Sequence, residues 1–197
     1  KYVGEFKDDK FDGRGTFFYA NGDNYEGEFM EGARNGHGTY KFSNGGLYVG
    51  EFKSDKFEGA GIFNYKNGEK YIGEFRENIY NGQGSITYAN GDNYVGEFKN
   101  GVYDGQGTYS YKNGDKYIGE YNNDIRSGYG IYIYSKGNKY IGKFMNNNFN
   151  GTGIFIFANC EEYRGEFENG KFNGRGIYTF PNGTKYEGEF KNGAFIK

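Results

Sequence analysis

The chain has 197 residues with a net charge of −2, and Gly (37) and aromatic residues (21%) far outweigh Pro (1), Cys (1) and Trp (0). So many aromatics exclude a disordered chain, one leucine (Leu47) excludes a leucine-built core, and a single cysteine excludes an intrachain disulfide framework. Near-balanced charge gives no basic footprint for nucleic acid, and no apolar run is long enough to span a bilayer.

The first predicted elements lie in "YVGEFKDDKFDGRGTFFYANGDN", Tyr2 to Asn24. Tyr2, Gly4 and Phe6 alternate with Val3 and Glu5, and Gly15, Phe17 and Tyr19 alternate with Arg14, Thr16 and Phe18. That period of two predicts two strands with a ring-bearing face. The polar run "KDDKFDG", ending at Gly13, reads as the hairpin loop between them, and "ANGDN" as a tight turn. Glycine alternating with large rings suggests that a ring from the neighbouring strand lies over each glycine backbone.

The phrase then recurs every 23 residues without insertion, from Tyr2, Tyr25, Tyr48, Tyr71, Tyr94, Tyr117, Tyr140, Tyr163 and Tyr186. Counting the tyrosine as position 1, glycine holds positions 3, 12 and 14 of each full repeat, and position 18 is Tyr or Phe from Tyr19 to Phe180. The expected fold is all-β: an elongated single-layer antiparallel β-meander solenoid, one β-hairpin per repeat, over residues 1–197. Seventeen strands at ~4.8 Å spacing give a rod of roughly 80 Å. The chain starts one residue before the first phrase and stops partway through the ninth, which reads as a segment of a longer protein.

These residues resemble the MORN (membrane occupation and recognition nexus) repeat, carried in the first copy by Tyr2, Gly4, Glu5, Phe6, Gly13, Gly15 and Phe17. The family's usual Trp is Phe or Tyr throughout, Arg34 and Arg126 replace the aromatic at position 10, Lys143 replaces a glutamate and Cys160 a turn glycine. With 24 asparagines, the chain is similar to repeat-only MORN proteins of apicomplexan parasites. The resemblance implies a scaffold tied to the cytoskeleton or the inner membrane complex in cell division, dimerising through its C-terminal repeats. The default compartment is the cytosol.

No catalytic constellation stands out. His37, between two glycines, reads as a solvated variable position, and Cys160 lies about five repeats away. The G-x-G pairs lack the third glycine and following helix of a dinucleotide site, and the Asn150 and Asn182 sequons read as structural hairpin chemistry. The position-4 glutamates, from Glu5 to Glu189, are expected to be solvated and to pair with lysines such as Lys7 or Lys53, too far apart to hold Ca²⁺. No cofactor or metal is expected. Cys160 is either a tolerated loop residue or a contact across a homodimer, as a disulfide or metal ligand. The last strand is expected to leave an open edge, a pairing template, so Cys160, Tyr186, Phe190 and Phe195 are the candidate dimer interface.

Three functions compete: a dimeric scaffold offering Tyr and Phe to cytoskeletal or membrane-complex proteins; a phosphoinositide-binding module, with Lys136, Lys139 and Lys143 as candidates; and an accessory segment of a larger enzyme.

Overall fold

Each repeat folds as one hairpin, and the computed structural model describes every residue, Lys1–Lys197. The strands are β1 (Tyr2–Lys7), β2 (Lys10–Phe18), β3 (Asn24–Met30), β4 (Ala33–Lys41), β5 (Leu47–Lys53), β6 (Lys56–Asn64), β7 (Lys70–Arg76), β8 (Ile79–Thr87) and β9 (Asn93–Lys99). They continue as β10 (Val102–Ser110), β11 (Lys116–Asn122), β12 (Ile125–Ile133), β13 (Lys139–Met145), β14 (Asn148–Ile156), β15 (Glu162–Glu168), β16 (Lys171–Thr179), β17 (Lys185–Lys191) and β18 (Ala194–Phe195). All eighteen belong to one antiparallel sheet without helices. The chain comprises two compact units, Lys1–Val102 and Tyr103–Lys197.

The glycines seat rings, as the alternation suggests. Tyr48 is fully buried, and its ring covers Gly50 on its own strand as well as Gly61 on the next. A Cβ on Gly61 would come within 2.6 Å of Tyr48 Cε2. The ring is therefore shared between its own strand and its neighbour, where the sequence suggests the neighbour alone. The Tyr48 hydroxyl donates to the Glu51 carbonyl at 2.8 Å, and the same bond recurs from Tyr25, Tyr71 and Tyr140. Where position 10 is aromatic, the tyrosine stacks on it, as in Tyr48–Phe57 at 3.8 Å, and meets a ring of the next repeat edge-on, as in Tyr48–Phe75 at 5.1 Å. These contacts are the core, a single layer of rings on one face. Offset and edge-on pairs add about 0.5–1.5 kcal/mol each beyond burial.

Three expectations need correction. The first loop is only two residues, Asp8–Asp9, with φ of 50° and 60°. Asp and Asn tolerate this left-handed turn, so Lys10–Gly13 belong to a strand rather than to the loop. The strand number is eighteen, not seventeen. Ala194–Phe195 fold back on β17, with Phe195 facing Phe190, so no open edge remains at Phe190.

The third concerns the glutamates. Between Gly4 and Phe6 the register shifts, because β2 carries extra residues around Gly13, a β-bulge. Gly13 sits at φ +86°, and the Glu5 carboxylate closes over it to accept the Arg14 N–H at 3.1 Å. Glu51, Glu74 and Glu120 do the same for Ala60, Gln83 and Tyr129. Lys7 and Lys53 form no ion pair, whereas Arg34, Lys56, Arg164 and Arg175 do. A carboxylate gains more from a charge-assisted bond to a bulge N–H than from a solvated lysine.

Candidate functional site

The face opposite the rings carries the side chains that vary between repeats. Its middle row is formed by positions 2 and 15, which meet directly across neighbouring strands. In the second unit the row runs Thr108, Ile118, Ile131, Ile141, Ile154, Arg164, Ile177 and Glu187, each opposite the next. Five isoleucines therefore line up across β11 to β16 with no second layer over them. They floor a groove of about 760 Å³ with Tyr129, Arg164 and Arg175 at its rim. Ile118 is 39% exposed and Tyr129 60%.

The rim charges are accessible. Arg164 pairs with Glu162 at 3.2 Å and Arg175 with Glu189 at 3.4 Å, with the arginine side chains 61% and 87% exposed. Such surface pairs contribute about 0–1 kcal/mol, so a partner's carboxylate can compete for either guanidinium. Lys143, where other repeats carry the capping glutamate, faces Tyr129 in register and holds its ammonium 5.3 Å from the ring centroid.

In the first unit the row is Val3, Thr16, Glu26, Thr39, Val49, Ile62, Ile72, Ser85 and Val95. Glu26 and the threonines make its groove, of about 600 Å³, polar, and His37 and Arg14 line it.

The residues singled out by sequence separate. Lys139 and Lys143 share the groove face but Ile141 stands between them, and Lys136 sits in the turn before β13. The three do not form one cluster. Cys160 is exposed, in the turn slot at φ +67°, where other repeats place glycine. Phe190 is buried against Tyr163 and Phe195, while Tyr186 and Phe195 are 48% and 40% exposed. The interior tyrosines Tyr2, Tyr25 and their equivalents serve the ring layer, as do Gly4, Gly15 and Phe17. The isoleucine row was not singled out by sequence reasoning. Reading positions 2 and 15 down the register finds it, because isoleucine enters the row at Ile62 and runs unbroken from Ile118 to Ile154.

Comparison with known proteins agrees with the repeat. The family profile described as MORN repeat matches residues 2–24, 25–47, 48–70, 71–93, 94–116, 117–139, 140–159, 163–185 and 186–195. No curated protein matches the chain. Among solved structures, it is similar in fold to the TCP domain of Drosophila melanogaster SAS-4 (dCPAP) in complex with a proline-rich motif of Ana2. The identity is 15%, coverage is 90% of each chain and the TM-score is 0.51. The TCP10 domain of Danio rerio CPAP, solved in complex with a peptide of STIL, matches at 14% identity over 96% of this chain and 100% of that one, with a TM-score of 0.35.

Proposed function

The chain belongs to the MORN repeat family, and on that premise we propose that it is a protein-interaction scaffold whose aliphatic groove holds an extended segment of a partner protein. The observation that carries this reading is the uncovered isoleucine row. Four of its isoleucines, Ile118 to Ile154, stand side by side on neighbouring strands, with Ile177 beyond Arg164, and exposed aliphatic strips rimmed by polar residues mark docking sites. From Ile118 to Ile177 the row crosses five strand spacings, about 24 Å. An extended segment of about seven residues has that length. It crosses the strands, whose backbone groups are already paired, so recognition is by side chains. The fitting occupant has aliphatic residues over the isoleucines and an acidic residue at the Arg164–Arg175 end. A chain of similar fold solved with a partner's motif bound supports this reading.

The same reading places the scaffold in a cytoskeleton- or membrane-associated assembly used in division. The Asn-rich composition and the family support a likeness to the repeat-only apicomplexan proteins of the inner membrane complex. It includes a homodimer through the C-terminal repeats. Tyr186 and Phe195 offer exposed rings for it, with Phe190 behind them. The experiment is selection of peptides on the whole chain from a randomised display library, then measurement of their affinity for Ile131→Asp/Ile154→Asp. A loss of at least about tenfold is expected. Undiminished affinity rejects the groove.

A further inference from the structure

Two arginines stand where other repeats stack a ring on the position-1 tyrosine. Arg34 places its guanidinium carbon 5.7, 5.0 and 5.5 Å from the ring centroids of Tyr25, Tyr40 and Phe52. Arg126 does the same at 5.6, 5.3 and 5.9 Å from Tyr117, Tyr132 and Phe144. Both fix the guanidinium on the two-residue turn of the following repeat. Arg34 donates from N and Nε to Asp55 Oδ1, both at 3.0 Å, and from a terminal nitrogen to the Asp55 carbonyl. Arg126 donates the equivalent three bonds to Asn147, at 2.9, 3.3 and 3.1 Å.

The geometry is the same and the charge is not. Asp55 neutralises Arg34 with a carboxylate, whereas Asn147 leaves Arg126 with its full charge. Asp115, whose charge acts on Tyr132 and Tyr134, accepts from the Ser135 N–H, the Tyr132 hydroxyl and the Asn113 amide and makes no ion pair with Arg126. Asp23 makes the equivalent bonds to Ser43 and Tyr40 in the first unit, so it does not distinguish the two sites. Asn147 turns Oδ1 to Arg126, and its amide NH₂ faces away without a partner in the chain. The Tyr134 hydroxyl likewise has none. These donors border a cleft of about 290 Å³ lined by Arg126, Tyr132, Tyr134, Asn147 and Phe149. The surrounding unit is the more basic one, with 12 basic and 10 acidic residues in 103–197 against 12 and 16 in 1–102.

We propose that the cleft at Arg126 binds a phosphate-sized oxyanion, the phosphate monoester of either a membrane headgroup or a soluble molecule. A guanidinium held by rings and backbone, flanked by an amide and a phenol, offers charge-assisted bonds with its geometry already set. The Arg34 site is its internal control, since the carboxylate there repels the same anion. This inference is independent of the groove on the opposite face.

The test is titration of the ¹⁵N-labelled chain with inorganic phosphate, following the arginine Nε–Hε resonances. A saturable shift at Arg126 with none at Arg34 is expected. Asn147→Asp should weaken it at least about tenfold, and Asp55→Asn should make Arg34 responsive. No saturable change at Arg126, equal shifts at all arginines, or an unaltered response in Asn147→Asp overturns the proposal. Flotation with phosphatidylcholine vesicles, with and without phosphatidylinositol 4-phosphate, then identifies the source. Capture that needs the phosphoinositide and is lost in Asn147→Asp assigns a headgroup; phosphate binding without capture assigns a soluble ligand.

Discussion

A ring lying flat on two glycines leaves no room for a methyl group, and this sets the mutational sensitivity of single residues. Gly61→Ala places a carbon within 2.6 Å of the buried Tyr48 ring. Overpacking of this kind costs about 1–3 kcal/mol, so the urea midpoint should fall accordingly. Cys160 bears the opposite burden, a side chain in a left-handed turn that its equivalents fill with glycine. Cys160→Gly should raise stability by about 0.5–1 kcal/mol. Asp23 shows how a turn residue ties stability to pH. The Ser43 N–H first, then the Tyr40 hydroxyl, hold its carboxyl down at about 2. Its folded pKa lies below the unfolded value, so its contribution is complete above about pH 4 and is lost as pH falls toward 2. Acid unfolding of Asp23→Asn should lack that part of the dependence. At this scale the sequence was legible, since glycine and ring alternate openly from Tyr2 to Tyr19.

The hairpin is less legible than its residues. "KDDKFDG" reads as loop because Lys, Asp and Gly are poor strand formers, yet five of its seven residues are in strands. The bulge at Gly13 conceals this by breaking the alternation where β2 begins its pairing. It also gives the glutamate a function that residue type alone does not reveal, closing over the bulge and capping its N–H. Glu74→Ala removes the 2.9 Å bond to the Gln83 N–H and should cost about 1 kcal/mol in chemical denaturation. Thermal shifts that leave Glu74→Ala equal to wild type would exclude that role. Repeat seven departs from the rule at one point, where Lys143 lies over Tyr129 instead. Tyr129 lines the aliphatic groove, so this repeat exchanges a structural cap for a contact beside that groove.

Across the whole molecule, the ring layer is repeated and the opposite face is not, which separates what folds the chain from what distinguishes it. The repeat period made the first visible in sequence. The second was hidden because positions 2 and 15 look merely variable until the strand register places Ile118, Ile131, Ile141 and Ile154 in one line. The shared layer also sets an alkaline limit. Burial pushes the Tyr163 hydroxyl up to about 12 and raises Tyr48, Tyr71 and Tyr140 as well. These folded pKa values exceed the unfolded value, so the contribution is complete below about pH 10 and is lost as pH rises above it. Circular dichroism across that range should show unfolding coupled to tyrosinate formation. Isoleucine-methyl NMR of the chain with a peptide selected against it tests the groove most directly. Saturable shifts are expected at Ile131, Ile141 and Ile154, with unmoved signals at Ile86 in the ring layer and loss of binding in Ile131→Asp/Ile154→Asp. Shifts that avoid the three groove isoleucines would contradict docking in the groove.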